Sequence, residues 1–216
     1  MDEKLKERIE KIKAFVIKRK TILIFLVALV IIFYGMYVRT LNWPLLSGKW
    51  LSDPDAHLVQ RYAQTVLDTG GLPAVDNMRY YPLGFEDPSS EFGFISYFLV
   101  YLYKFFSIFD SSVSLAFTVL AYPAFTFGLA MIFFFLFVRR IFNWKVALLS
   151  SAFLVVLPQF LFRTMSGVSD KEALAIWFIF MSMYFFVASW QSKKTYKNIL
   201  FGALAGISTA ITGLIS

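Results

Sequence analysis

Cysteine is absent from this 216-residue chain, and histidine occurs once, as His57. Without cysteine there is no disulfide, no thiol nucleophile and no thiolate metal centre. A Gly-rich phosphate loop and a Ser-His-Asp set are missing as well. Charge is absent from five long blocks, Ile22–Val38, Val113–Val138, Val146–Phe162, Ala173–Trp190 and Ile199–Ser216. Ion-coupled transporters generally keep ionisable residues at membrane depth, so these blocks weigh against that class.

What fills the blocks is apolar. Hydrophobic residues make up 58% of the chain and aromatics 19%, with 26 Phe, against roughly 45–50% apolar residues in soluble domains. Each block reaches the ~17–25 residues that a helix needs to cross the hydrocarbon core. Between the two secondary structures, only a helix satisfies its own backbone within one segment in lipid. The expectation is therefore an all-α, polytopic membrane protein of about five spans. They are assigned to residues 21–38, 113–138, 146–163, 173–190 and 198–216, with external loops over 39–112 and 164–172.

The net charge of +7 does not indicate nucleic acid. Eight of the 21 basic residues lie in Met1–Lys20, directly before the first block, where they read as a topology signal. Residues 1–20 are expected to form a basic cytoplasmic tail and not a cleaved leader, because the first residues are highly charged and no small-residue cleavage site follows. Phe92–Phe109 is also apolar but carries Lys104. If it spans, the basic loops at Arg139–Lys145 and Gln191–Lys197 fall outside. If it lies in the interface, 14 of 21 basic residues are inside and all ten acids beyond the tail are outside. The second arrangement is taken, with Phe92–Phe109 as an amphipathic helix on the outer surface.

Two acidic motifs then open on one membrane face. In "SDPDAH" Asp53 suits an N-cap, Pro54 the first helical position, and Gly70–Gly71 the stop, with Val59, Tyr62, Ala63, Val66 and Leu67 on one apolar face. In "SGVSDKEA" Ser169 and Glu172 fit a capping box with Asp170 at the positive helix end. Each motif alone reads as a cap. Together, Asp53, Asp170 and Glu172 are also candidate catalytic and metal-binding residues: hard cations such as Mg²⁺ or Mn²⁺ take carboxylate oxygens, and a cation relieves the repulsion among three acids. His57, one turn from Asp53, is a candidate further ligand or a surface residue. Arg163 is a candidate partner for a lipid phosphate or a snorkelling side chain.

In order and spacing these features resemble the N-terminal part of the catalytic subunit of oligosaccharyltransferase, of the single-subunit archaeal and bacterial type. "SDPDAH" is similar to that family's first acidic motif, "RYYPLG" to a Tyr-Pro-x-Gly stretch, "YKFFSIFDSSVSLAF" to the lead-in to the second span, and "RTMSGVSDKEA" to the segment with the Asp-x-Asp motif, Glu172 replacing the commoner Asp. The resemblance implies that Asp53 binds metal and faces the acceptor amide, and that Asp170 and Glu172 complete the acidic site. It implies glycan transfer from a lipid-linked oligosaccharide on a polyprenyl (dolichyl) phosphate or pyrophosphate to the Asn of Asn-x-Ser/Thr in an acceptor polypeptide. It also leads one to expect that "GALAGISTAITGLIS", ending inside an apolar run, is the edge of a longer chain, inactive alone. Two other readings stay open: a related lipid-phosphate-sugar enzyme of the protein O-mannosyltransferase kind, and a non-catalytic scaffold or transporter in which both motifs are caps only.

Overall fold

A computed structural model describes residues 3–46 and 51–215, with side chains from residue 19 onward. Nine helices and one two-stranded hairpin follow one another in these regions: α1 Glu3–Thr40, α2 Trp43–Leu46, α3 Pro54–Thr69, β1 Val75–Asp76, β2 Phe85–Glu86, α4 Pro88–Phe109, α5 Leu115–Ile141, α6 Trp144–Val156, α7 Pro158–Thr164, α8 Lys171–Trp190 and α9 Thr195–Ile215. The strands pair antiparallel, Val75 opposite Glu86 and Asp76 opposite Phe85.

By length and composition the unbroken membrane-crossing candidates are Arg19–Leu46, α4, α5, α8 and α9. The number matches the sequence expectation, but α4 stands in the place of residues 146–163. That run is two helices, α6 and α7, bent by 67°. Pro158 has no N–H to donate into the preceding turn, and Leu157 before it takes φ −62°, ψ 117°, outside the helical region.

Although α4 has 22 residues, about 33 Å of helix, it packs against only one end of the bundle. Phe92 to Phe106 share a hydrophobic cluster with Leu115–Phe125 of α5, Ala173–Met181 of α8 and Ile211 and Ile215 of α9. Phe106 meets Phe125 while Phe98, two turns earlier, meets Tyr122. In an antiparallel hairpin later α4 residues would meet steadily earlier α5 residues, whereas these contacts advance along both helices together. Thus α4 crosses over the bundle end, with α3 laid on it through Val59, Tyr62, Ala63 and Val66.

The break between α6 and α7 is filled from α1. Arg39 is 0% exposed; its Nε donates to Thr164 Oγ1 at 2.7 Å, its Nη1 to Val155 O at 3.2 Å and to Gly35 O at 3.0 Å. The guanidinium lies 3.3 Å from the Phe127 ring centroid. Val155 sits in the last turn of α6, where carbonyls lack helical donors and a cation is favoured. Truncation by Arg39→Ala is expected to destabilise the protein by about 2–5 kcal/mol, the range for emptying a large buried site. Arg39→Lys should not restore it, because an ammonium cannot span the same three acceptors. Denaturant unfolding in micelles measures this, and a change within about 0.5 kcal/mol, the range of an ordinary surface substitution, would rule out a structural role.

Candidate functional site

Asp53 caps α3 from an extended conformation, φ −128°, ψ 138°, its Oδ1 accepting from Asp55 N at 2.9 Å; Pro54 follows, and Gly70 at φ 85° closes the helix. The punctuation of "SDPDAH" is thus what local chemistry dictates. At the second motif the expected capping box is displaced by one residue. Asp170 is the N-cap of α8 and accepts from Lys171 N at 2.7 Å, whereas Ser169 Oγ donates to Val119 O at 2.5 Å. Tertiary packing takes the Ser169 hydroxyl away from its own helix, and the aspartate takes the cap.

The loop that carries Asp170 is clamped on every side. Ser166 N donates to Arg39 O at 3.0 Å, Gly167 N to Leu120 O at 3.1 Å, and Asn42 Nδ2 to Ser166 O at 2.6 Å. Tyr122 donates its hydroxyl to the Asp170 carbonyl. One bond joins the two acidic motifs directly, Ser52 N to Gly167 O at 2.9 Å. Gly167 has φ 86°, the left-handed region that favours glycine. A Cβ there would lie 2.7 Å from Leu46 Cδ1 and 3.1 Å from Ser52 Oγ.

Burial, then the neighbouring Glu172 and Asp53, push the Asp170 carboxyl up to about 6 from its ordinary value near 4. Glu172 Oε2 is buried without a hydrogen-bond partner, while Oε1 pairs with Arg163 Nη1 at 3.0 Å. Arg163 therefore faces the acid group, in a half-exposed pair worth at most ~1 kcal/mol. His57 is exposed on the outside of α3. Asp55 belongs to the same field: burial raises its pKa, followed by Asp170, Asp53 and Glu91. Its signal was in the motif, as the second acid of "SDPDAH".

The donor set suits a hard divalent cation in type, and Glu172 keeps one buried oxygen without a donor. It is incomplete in number, because no group of three or more Asp, Glu, His or Cys among the described residues is placed to hold a metal ion.

Beside the acids, a polar network that sequence reading missed fixes the hairpin to α3. Asp76, 3% exposed, receives both terminal nitrogens of Arg61, the Tyr62 hydroxyl at 2.6 Å and Met78 N at 3.0 Å. The Arg61 bonds hold its carboxyl well below the usual range. Arg79 Nη1 donates to Glu91 Oε2 at 2.9 Å and its guanidinium lies 4.0 Å from the Phe85 ring centroid. No short-range pattern marks residues 15 apart as partners.

The two carboxyls have opposite pH signatures. Asp170 binds its proton more tightly folded than unfolded, so its ionisation lowers stability as pH rises from about 4 through about 6; Asp76 contributes stability that is lost on acidification below about 4. Asn is as good an N-cap as Asp. Asp170→Asn is therefore expected to be more stable than wild type at pH 7–8, with the gain shrinking as pH falls below about 6, vanishing below about pH 4, and reduced when Mg²⁺ or Mn²⁺ is added. Thermal unfolding across pH measures it, and a gain independent of pH contradicts the crowding of charge.

Known proteins resemble this chain in sequence and in fold. A family model described as "Oligosaccharyl transferase STT3, N-terminal" matches residues 49–214. Dolichyl-phosphooligosaccharide-protein glycotransferase 1 of Pyrococcus furiosus is 34% identical over 200 residues, covering 89% of this chain and 19% of that protein. The chain thus spans about a fifth of the length of this curated relative. The fold is that of the archaeal oligosaccharyltransferase AglB from Archaeoglobus fulgidus in complex with an inhibitory peptide and a dolichol-phosphate, with a TM-score of 0.68 at 19% identity over 91% of this chain and 24% of that one. The apo form of the Archaeoglobus fulgidus oligosaccharyltransferase gives 0.65 at 18% identity, over 87% and 23%.

Proposed function

The chain belongs to the oligosaccharyl transferase STT3 family, and from that premise we propose that it is the N-terminal part of a metal-dependent oligosaccharyltransferase. Its donor is a glycan on a polyprenyl, dolichyl-type phosphate or pyrophosphate, and its acceptor the Asn of Asn-x-Ser/Thr in a polypeptide. The observation that carries the reading is the clamped loop, which sets Asp170 and Glu172 within electrostatic reach of Asp53 and leaves a Glu172 oxygen buried without a donor.

Capping and chemistry are compatible here. Asp53 engages the α3 backbone through Oδ1, leaving its other oxygen for the acceptor. Carboxylate oxygens from Asp53 and Asp170 accept the N–H groups of the acceptor amide, which turns the nitrogen lone pair out of conjugation toward the sugar. The amide nitrogen then bonds to the anomeric carbon, the bond from that carbon to the phosphate oxygen breaks, and the amide proton passes to a carboxylate. Asp53, Asp170 and Glu172 would contribute carboxylate oxygens to a shell for Mg²⁺ or Mn²⁺ that these three do not complete, and the ion would supply Lewis-acid stabilisation of the charge on the leaving phosphate. Arg163 restrains Glu172. His57 has no part in the steps.

The membrane placement belongs to the same proposal: basic tail and basic loops inside, acids outside, α4 in the outer interface. Its packing across the bundle end supports this over its length, which alone would allow a span.

The test is glycosylation of an Asn-x-Ser/Thr peptide by a full-length polypeptide bearing this chain, in membranes supplied with lipid-linked oligosaccharide, with and without EDTA. Transfer should stop on chelation and return with Mn²⁺ or Mg²⁺. Transfer that survives chelation would reduce the acids to caps. No transfer under any condition would favour the scaffold reading.

A further inference from the structure

At the end of the bundle remote from the acids, the last two turns of α5 and of α8 line a cavity of about 260 Å³ through Leu136, Arg139, Arg140 and Tyr184. Arg140 is held in place, its Nε donating to Gln191 Oε1 at 3.0 Å and its Nη2 reaching Ala188 O at 3.5 Å. Arg139 is half-buried, its guanidinium 4.8 Å from the Phe25 ring centroid, and its N–H groups meet no acceptor among the described residues. A guanidinium carries five donors, so the cavity holds a surplus of donors beside the Tyr184 phenol.

Among the described residues no carboxylate pairs with either arginine. The ion pairs among the described residues, Arg61–Asp76, Arg79–Glu91 and Arg163–Glu172, all lie at or above the opposite end. The same rim instead adds cations: Lys20 and Lys145 lie 5.3 and 5.8 Å from the Trp144 ring centroid, and Lys193, Lys194 and Lys197 follow α8. Next to the cavity the surface turns apolar and aromatic, with Ile141, Phe142 and Trp190 exposed, the pattern of a headgroup boundary.

We propose that this cavity binds the phosphate of an anionic membrane phospholipid, with the Arg139 and Arg140 forks as donors and the acyl chains lying beside α5 and α8. A planar guanidinium fork matches phosphate oxygens, and basic pockets between spanning helices suit anionic headgroups. A lipid rather than free phosphate is the occupant, because the rim pairs cations with exposed aromatic side chains at the ends of apolar helices. The inference requires the membrane fold and none of the transferase chemistry.

The test is native mass spectrometry of the chain in neutral detergent, titrated with phosphatidylglycerol or phosphatidylcholine. Wild type should retain phosphatidylglycerol selectively. Arg139→Gln, which removes no hydrogen bond of the fold, should weaken retention roughly fivefold, the weight of one cation at an anionic surface. Lys193→Gln/Lys194→Gln should leave it within about twofold if the pocket and not diffuse charge is responsible. If Arg139→Gln does not fold by circular dichroism, Arg139→Lys serves, keeping the charge and losing the fork, with weaker retention again expected. Equal retention of the two lipids, equal damage from the lysine variant, unchanged retention by the arginine variant, or displacement of the lipid by millimolar inorganic phosphate would each overturn the proposal.

Discussion

In a full-length polypeptide bearing this chain, Asp170→Asn lowers peptide glycosylation by roughly 10²–10³-fold, the effect of losing one charged group aimed at a transition state. The protein itself folds at least as well at neutral pH, since Asn keeps the cap while the crowded charge beside Glu172 and Asp53 is gone. Activity and stability therefore move in opposite directions, which a structural role does not produce. Asp53→Ala is expected to match the loss of activity but to cost about 0.5–2 kcal/mol of stability, because Ala cannot cap α3. Glu172→Asp retains most activity by keeping an oxygen ligand. Initial rates at saturating peptide, set beside thermal midpoints for the same preparations, decide the matter. Activity that tracks the folded fraction for Asp170→Asn excludes the chemical role.

Gly167→Ala is the second large effect. An L residue at φ 86° is strained by about 1–2 kcal/mol, and a Cβ 2.7 Å from Leu46 Cδ1 adds roughly 1–3 kcal/mol of overpacking. The expected loss is about 2–5 kcal/mol. The consequence for the site is greater than the destabilisation alone, because Gly167 O receives Ser52 N, next to Asp53, and Gly167 stands three residues before Asp170. Pushing Leu46 and Ser52 aside separates the two motifs, so activity per folded molecule falls as well. Gly202→Ala is the comparison: its Cβ meets only Ser189 Oγ at 3.4 Å on an ordinary helical backbone, and the change should be near neutral. Equal stability of the two variants would show that the loop tolerates a side chain and that the motifs are not coupled there.

Local chemistry made much of this legible. Charge-free blocks of membrane length, the Asp-Pro start of α3 and the stretch "RTMSGVSDKEA" are short-range patterns, and each reports on its own neighbourhood. The chain's membership in the STT3 family was readable from their order. The misreadings share one physical origin. Residues 146–163 read as one straight span because Pro158 lies in an otherwise apolar run; the chain bends by 67° there, and Arg39 of another helix donates to the freed end of α6. Ser169 reads as the α8 cap because its spacing to Glu172 allows it, yet its hydroxyl is drawn to Val119 O on α5.

The sequence by itself determined that this chain makes membrane-length helices and carries acids at two helix starts, since hydrophobic length and capping act within a few residues. Only the tertiary structure decided that the two starts lie side by side. That outcome rests on Gly167, Ser52, Arg39 and Tyr122, whose hydrogen bonds join residues 115, 125 and 48 positions apart, and pairing across such distances follows from how buried backbone groups find partners when the helices close on one another.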